Sequence, residues 1–255
     1  MSEHVTITQD GGILTIVMNR PDKKNALTSA MYGAMADALE TAHDDAAIRV
    51  IVMRGAGDLF CAGNDIGDFM TAASGGDIGN ADVFRFIRLL GTATKPLVAG
   101  VQGRAVGIGT TMLLHCDHVV LAQDAKLTAP FATLGLVPEA ASSKLLPAAI
   151  GHQRAFAMMA MGEAMDAAGA LASGLANQIV PADGLDAAVD AAAKRIAALP
   201  PGAVQATKTL MRDRETIGAT METEIKLFAE RLQSPEAREA FMAFAQKRAP
   251  DFSQF

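Results

Sequence analysis

The sequence predicts an α/β fold, in which a mostly parallel sheet is followed by a helical C-terminal region. Short apolar runs at residues 49–54, 96–101 and 118–122 have the length of buried strands. A helical pattern over residues 84–90, with apolar residues three apart, separates the first two runs. Strands that alternate with helices are joined by right-handed crossovers and form parallel sheets. Beyond about residue 180, the remaining patterns are helical.

The N-terminal part is predicted to form a β-hairpin followed by a helix. Two strand-like runs, residues 5–8 and 13–18, flank Asp-Gly-Gly at residues 10–12, which tolerates the positive φ angles of a tight turn. Thr28 can cap a helix that we expect to end near Asp44. Its apolar residues recur at helical spacing: Met31, Ala34, Met35, Ala38, Leu39 and Ala42.

The last third of the chain is predicted to be helical. One apolar helical face comprises Leu185, Val189, Ala192, Ile196 and Leu199. Two prolines at residues 200–201 end this helix, and residues 204–246 are again helical apart from a break at Ser234. No linker-like segment precedes this region. We therefore divide the chain into a core of residues 1–195 and a helical region of residues 196–255, which packs on the core or on another subunit.

Composition excludes several classes of protein. The chain has 255 residues, half of them hydrophobic, yet no apolar run approaches the roughly 20 residues of a membrane span. A net charge of −6 argues against a nucleic-acid partner, because phosphate binding needs clustered Lys and Arg. The first residues lack signal-peptide features. Two cysteines without CxxC spacing predict neither a zinc site nor a disulfide framework. We expect a soluble, cytoplasmic protein.

Two glycine-rich turns are the strongest functional signal. They follow apolar runs and read Cys-Ala-Gly-Asn-Asp-Ile at residues 61–66 and Gly-Arg-Ala-Val-Gly-Ile-Gly at residues 103–109. Such turns can aim two backbone amides at one oxygen, and one such donor is worth about 3–4 kcal/mol to a developing oxyanion. The helical pattern at residues 110–114 would add partial positive charge. Alternatively, the turns are only tight connections. The second turn lacks the third glycine of a dinucleotide fingerprint.

Two other constellations carry less weight. Residues 115–118 read His-Cys-Asp-His, but consecutive side chains point in different directions, so one tetrahedral metal site cannot use them all. We predict no metal site. Ser142 and Ser143 lie outside a GxSxG elbow, and no histidine is placed by the sequence to activate them. A hydrolytic triad is therefore not expected.

An ordered set of motifs resembles the enoyl-CoA hydratase/isomerase, or crotonase, family over residues 5–250. The motifs are Asn-Arg-Pro at 19–21, Asn-Ala-Leu at 25–27, Phe60 with the first turn, and the second turn with Cys-Asp at 116–117. The resemblance implies a crotonase-like (ClpP/crotonase) spiral of repeated ββα units with a helical C-terminal trimerisation region. It implies acyl-CoA thioester substrates, a homotrimer or dimer of trimers, and no separate cofactor, since coenzyme A is part of the substrate.

The resemblance also implies roles for individual residues. The amides of Asn64 and Ile108 match the family's oxyanion hole. The residues that match its substrate- and CoA-binding positions are Ala26, Ala62, Gly63, Asn64, Asp65, Ile66 and Ile108. Lys23 and Lys24 are candidate neighbours of the CoA phosphates, or merely solvated lysines.

The resemblance favours isomerisation over hydration. In hydratases of the family, two glutamates stand at positions that correspond to Thr111 and Phe131, neither of which accepts a proton at neutral pH. Instead, Glu139 lies in Val-Pro-Glu-Ala-Ala-Ser-Ser at residues 137–143, which resembles the segment that carries the single catalytic base of peroxisomal-type Δ3,Δ2-enoyl-CoA isomerases. A double-bond shift needs one base, and apolar neighbours would raise its basicity.

Three alternatives stay open at this point. Glu139 could instead cap a helix that starts at Ala140, or face solvent. The protein could be a hydratase that takes its second acid or base from Asp68 or Glu163. An impaired site on the same fold could also serve as a non-catalytic scaffold that binds acyl-CoA.

Overall fold

The computed structural model describes residues 2–67 and 81–255. The strands are β1 Val5–Asp10, β2 Ile13–Met18, β3 Val50–Gly55, β4 Leu97–Val101, β5 Arg104–Val106, β6 His118–Ala122, β7 Lys126–Thr128, β8 Met165–Asp166 and β9 Gln178–Val180. The α-helices are α1 Ser29–Asp44, α2 Asp82–Thr92, α3 Ile108–Thr111, α4 Ser142–Ile150, α5 His152–Met159, α6 Ala167–Ala172, α7 Leu185–Ala197, α8 Pro201–Met211, α9 Arg214–Leu232 and α10 Pro235–Ala245. None of the helices in these ranges is both long and apolar enough to cross a membrane.

Two sheets form the scaffold of the molecule. The larger sheet has the strand order β1-β2-β3-β4-β6-β9, and every pairing after the β1–β2 hairpin is parallel. The smaller sheet has the order β5-β7-β8. The predicted hairpin, the predicted strands and the mostly parallel sheet are thus confirmed.

The central strands of the larger sheet, β3, β4 and β6, are buried on both faces, as parallel strands usually are. Along β3, Val50 and Val52 pack in one apolar cluster with α7, whereas Ile51 and Met53 belong to the main core with α1 and α2. The strand period of two residues produces this alternation. At Gly100 in β4 a side chain would lie 2.6 Å from a methyl group of Val189, so α7 can pack this closely only over glycine.

The helices follow the predicted pattern with one correction. Thr28 caps α1, where its hydroxyl accepts a hydrogen bond from the Met31 amide, and the predicted break at Ser234 separates α9 from α10. The uninterrupted helix predicted before that break was wrong. The chain breaks also at Arg212, because the Asp213 side chain accepts the Thr216 amide and starts a new helix. The division after residue 195 stays a prediction.

Asn25 joins the N-terminal segment to the loop that precedes the first glycine-rich turn. The residue is fully buried and has a left-handed backbone, with φ at 53°. Its side-chain amide donates to the carbonyls of Ala56 and Leu59, each at 2.8 Å, and its carbonyl accepts the Arg20 amide at 2.9 Å. Asparagine suits this position because it tolerates the left-handed region and offers both donors and an acceptor.

We expect Asn25→Ala to lower the free energy of unfolding by about 2–3 kcal/mol, since buried carbonyls would lose their donor in a backbone conformation that alanine disfavours. Denaturant unfolding measures the change. Asn19→Ala, at an exposed position six residues earlier, is the matched control and should change stability by less than about 0.5 kcal/mol. Equal effects of the two substitutions would contradict this role of Asn25.

Candidate active site

The first glycine-rich turn is held by the N-terminal segment. The Leu27 amide donates to the Gly63 carbonyl at 2.8 Å, and the Asp65 amide donates to the Leu27 carbonyl at 2.9 Å. In this parallel pairing, the amide of the residue between them, Asn64, faces away from Leu27. Gly63 has φ at 90°, and a side chain there would lie 3.1 Å from the Val106 carbonyl oxygen. Glycine at this position therefore lets the two turns approach each other.

The second glycine-rich turn leads directly into α3. Gly107 has φ at 55° and ψ at −119°, and its carbonyl accepts the amides of Thr110 and Thr111, each at 2.9 Å. Ile108 is the first residue of the helix, where an amide has no partner within the helix. Among the described residues, neither the Ile108 amide nor the Asn64 amide donates a hydrogen bond. Both are free to bind an acceptor from a ligand.

Direct backbone pairing brings the two turns together. The Cys61 amide donates to the Arg104 carbonyl at 3.1 Å, and the Val106 amide donates to the Cys61 carbonyl at 2.9 Å. A side chain at Gly109 would lie 2.9 Å from the Cys61 carbonyl oxygen. The structure thus places the segments that carry the Asn64 and Ile108 amides side by side. Their role as an oxyanion hole stays a prediction.

Glu139 lies buried beside α3. Its carboxyl group is 4% exposed and accepts a hydrogen bond from the Thr111 hydroxyl at 2.5 Å. Burial, opposed by the Thr111 hydrogen bond and assisted by the negative charge of Glu224, raises the pKa of Glu139 to about 8. Thr111, which binds this carboxyl group, lies three residues after Ile108, about one turn along α3. The geometry excludes the alternative in which Glu139 faces solvent.

The turn that carries Glu139 has an unusual backbone. Ala140 and Ala141 both adopt the left-handed region, with φ at 58° and 55°, which costs about 1–3 kcal/mol for each residue that is not glycine. Helix α4 begins only at Ser142, whose amide donates to the Glu139 carbonyl at 3.0 Å. The alternative of a helix that starts at Ala140 and is capped by Glu139 is therefore wrong.

Tyr32 is a site residue that the sequence analysis missed. The chain's single tyrosine lies in α1, and its hydroxyl donates to the side-chain carbonyl of Asn64. Burial first, and then the charges of Cys61 and Glu139, raise the pKa of Tyr32 well above its usual value. The hydroxyl therefore stays protonated and keeps the Asn64 side chain in place. A tyrosine on the apolar face of a helix signals such a contact, since a buried hydroxyl needs a partner.

The residues predicted to bind CoA line the first turn and the segment that holds it. The Arg20 guanidinium forms an ion pair with Asp65 at 2.8 Å and donates to the Ala26 carbonyl at 3.1 Å. Ala62 and Ile66 are half-buried, on either side of Gly63 and Asn64. Of the two candidate phosphate ligands, Lys24 pairs with Asp58 at 3.0 Å. CoA binding by these residues stays a prediction.

Of the two residues proposed for a second acid or base, Glu163 is the one that the described residues include. Glu163 is exposed and lines a surface cleft with Lys126, Arg154 and Asp166. Asp68 lies outside the described residues. Phe131 is buried as an apolar side chain, whereas Thr111 contacts Glu139 directly. Of the two positions that carry glutamate in hydratases, one is therefore occupied by a hydroxyl that binds the carboxyl group of Glu139.

Two residues of the His-Cys-Asp-His run, His115 and Asp117, have structural partners. His115 binds the Ala140 carbonyl at 2.8 Å through Nε2, and Asp117 accepts the Leu97 amide at 2.8 Å and pairs with Lys208 at 2.6 Å. Within residues 2–67 and 81–255, no group of three potential ligands has the arrangement of a metal site.

Comparison with known proteins places this geometry in a family. The sequence model described as enoyl-CoA hydratase/isomerase matches residues 8–255. Enoyl-CoA delta isomerase 2 of Rattus norvegicus is 36% identical over 97% of the chain, which spans 64% of the length of that relative. The 2,3-dehydroadipyl-CoA hydratase of Escherichia coli (strain K12) is 32% identical over 99% of both chains.

A solved structure agrees with these sequence matches. The crystal structure of an enoyl-CoA hydratase/isomerase from Pseudoalteromonas atlantica T6c superimposes with a TM-score of 0.93 and 40% identity, over 98% of this chain and 100% of the other. The predicted crotonase-like spiral is thereby confirmed. With its paired glycine-rich turns and matching sequence, the chain belongs to the enoyl-CoA hydratase/isomerase family.

Proposed function

We propose that this protein converts 3-enoyl-CoA into 2-enoyl-CoA, with Glu139 as its single catalytic base. One observation carries the proposal. The buried carboxyl group of Glu139, with its pKa raised to about 8, is hydrogen-bonded to the helix that begins at the Ile108 amide. A general base works best when its pKa lies near the working pH. The rat relative named an enoyl-CoA delta isomerase supports the same reaction.

In the proposed mechanism, the thioester oxygen accepts hydrogen bonds from the amides of Asn64 and Ile108. Glu139 removes a proton from C2, and the electron pair of the C–H bond delocalises into a dienolate whose oxygen is stabilised by the two amides. The protonated Glu139 then returns the proton to C4. The double bond moves from C3–C4 to C2–C3, and the carboxylate is regenerated without any net gain or loss of atoms.

Hydration of 2-enoyl-CoA is the second candidate, because the Escherichia coli relative is named a hydratase. Hydration needs one group to activate water and another to handle the proton at C2. Glu224, whose charge raises the pKa of Glu139, has both carboxyl oxygens occupied: one accepts the Ala141 amide, and the other accepts the amide and the hydroxyl of Ser143. This leaves Glu139 without a free acidic partner among the described residues and favours isomerisation.

Glu139→Gln should reduce isomerase turnover by about 10²–10⁴-fold and leave the affinity for a saturated acyl-CoA nearly unchanged, since it removes the base but keeps the size of the side chain. Ultraviolet absorbance follows the conjugated product, and calorimetry measures binding. Glu163→Gln, an exposed glutamate, is the matched control.

Turnover of the Glu139 variant within a few-fold of wild type would exclude it as the base. Hydration of 2-enoyl-CoA that depends on Glu163 would support the hydratase. Wild-type protein that binds acyl-CoA but catalyses neither reaction would support a scaffold.

Thr111→Val should shift the activity profile to higher pH. The Thr111 hydroxyl stabilises the charged form of Glu139, so its loss raises the pKa of Glu139 above its present value of about 8. Because the ionised form is the base, kcat/KM should fall at neutral pH and recover in alkaline solution. Thr111→Ser keeps the hydroxyl and should retain the wild-type profile. An unchanged profile in the valine variant would contradict the assignment.

We propose further that the protein forms a homotrimer or a dimer of trimers. Leu199, Leu210 and Met211 are exposed around α8, at 49%, 89% and 79%, and closed association is a common way to cover such apolar surface. Phe228 and Phe241, farther along the helical region, do not belong to this surface, because they are buried within the chain itself.

Light scattering of the purified protein should give three or six times the 26.5 kDa mass of the chain. Leu210→Asp places a charge on the most exposed of these apolar side chains and should shift the protein toward smaller species. A fully active monomer at low micromolar concentration would refute the proposal.

A further inference from the structure

The Glu139 turn, defined as residues 139–143, cannot be stable through its own residues alone. Ala140 and Ala141 are consecutive and both left-handed, a region that alanine rarely adopts. No glycine lies in the turn to relieve the strain. Such a backbone persists only when surrounding contacts overdetermine it, and strained backbone of this kind gathers at functional sites.

Glu224 supplies contacts of this kind from a distant helix. It lies in α9, is buried, and directs both carboxyl oxygens at the turn. One oxygen accepts the Ala141 amide at 2.6 Å, and the other accepts the amide and the hydroxyl of Ser143 at 2.9 and 2.5 Å. A carboxylate that accepts backbone amides at the start of a helix serves as its cap. For α4 that cap comes from another part of the chain.

His115 holds the opposite side of the turn. Its Nε2 donates to the Ala140 carbonyl at 2.8 Å, and its Nδ1 accepts from the Arg212 guanidinium at 2.9 Å. Burial, followed by the charge of Arg212, lowers the pKa of His115 to about 3, so the ring stays neutral. Neutral His115 has one donor and one acceptor nitrogen, which matches this pair of contacts. The turn is therefore fixed by one carboxylate and one imidazole.

We infer that Glu224 is a positioning residue for the reaction proposed above: it holds Ala141 and Ser143 so that Glu139 stays aimed at the acyl chain. The inference rests on the proposed function for its catalytic consequence. Glu224 has no contact with the reacting atoms in this account. Its effect passes through the backbone of the turn and through its charge.

The charge of Glu224 changes the pKa of Glu139 in a predictable direction. Among the described residues, the groups that interact with Glu139 are Tyr32 on α1, Cys61 on the first turn, Thr111 on α3 and Glu224 on α9, while neutral His115 binds the adjacent carbonyl. The negative charge of Glu224 disfavours a second one on Glu139, so it raises the pKa of that carboxyl group. Neutralising Glu224 should therefore lower the pH at which Glu139 ionises.

The test compares Glu224→Gln with Glu222→Gln, two residues earlier on the same helix. Glu222 is exposed and pairs with Arg88 at 2.6 Å, away from the turn. Two measurements are made on each intact variant. Infrared difference spectroscopy follows titration of the Glu139 carboxyl group without substrate, with Glu139→Gln to assign the band. Steady-state kinetics with 3-enoyl-CoA separates kcat from KM.

In Glu224→Gln, Glu139 should titrate at lower pH than in wild type, and kcat should fall by about 10- to 100-fold with KM within threefold, the scale of a small misplacement of a reacting group. Glu222→Gln should match wild type in both measurements. A titration midpoint and kcat both unchanged in Glu224→Gln would overturn the inference, even if its melting temperature fell, because a merely structural cap would alter stability alone.

Ser143→Ala is a second test, which is needed if Glu224→Gln does not fold. It removes one hydroxyl hydrogen bond and leaves both backbone donors in place, so a smaller loss of kcat with unchanged KM supports the inference, and wild-type kcat opposes it. The spectroscopic measurement tests the role of Glu224 separately from the proposed function. If wild-type protein does not isomerise 3-enoyl-CoA, the proposed function fails, whereas a shifted Glu139 midpoint would still place Glu224 in control of that carboxyl group.

Discussion

Backbone pairing among three distant segments is the constraint on which the site depends. Residues 25–27, 60–65 and 104–109 lie side by side, joined by hydrogen bonds between Leu27 and the first turn and between Cys61 and β5. In a parallel pairing, alternate amides of a segment donate to the neighbouring segment, and the amide between them faces away from it. The Asn64 amide is free because the residues on either side of it pair with Leu27, and the Ile108 amide is free because Ile108 is the first residue of α3.

The same close approach makes Glu139 basic. Gly63 and Gly109 pack against the backbone of the opposite turn. Among residues 2–67 and 81–255, the Glu139 carboxyl group accepts one hydrogen bond, from Thr111. Burial then outweighs that hydrogen bond, so the pKa rises. A second donor would stabilise the carboxylate and weaken it as a base. The environment of Glu139 thus supplies one hydrogen bond that fixes the carboxyl group, and it is apolar enough to keep the pKa of that group raised.

Sequence patterns predicted what is local, and they failed where the partner is distant. The hairpin, α1 with its Thr28 cap, and the glycines of both turns follow from neighbouring residues. Tyr32 binding Asn64, and Glu224 binding the Glu139 turn, each join residues that only the tertiary fold brings together. Phe228 and Phe241 are apolar residues in helical segments, but the sequence does not show whether they face the chain's own core or a second subunit. In the structure they face the core. The break at Arg212 was missed because a single aspartate cap, Asp213, produces it without proline or glycine.

The C-terminal helices connect the core chemistry to the surface. Their inner side reaches the Glu139 turn twice, through Glu224 and through the Arg212–His115 pair. Arg212 directly follows the exposed side chains Leu210 and Met211 on α8. Contact of a neighbouring subunit with that apolar surface would fix the end of α8, and with it the guanidinium that orients His115. Because His115 holds the Ala140 carbonyl, packing of these helices and the position of Glu139 are parts of one hydrogen-bonded structure. Stable packing of these helices is therefore a condition of the proposed catalysis as well as of the proposed assembly.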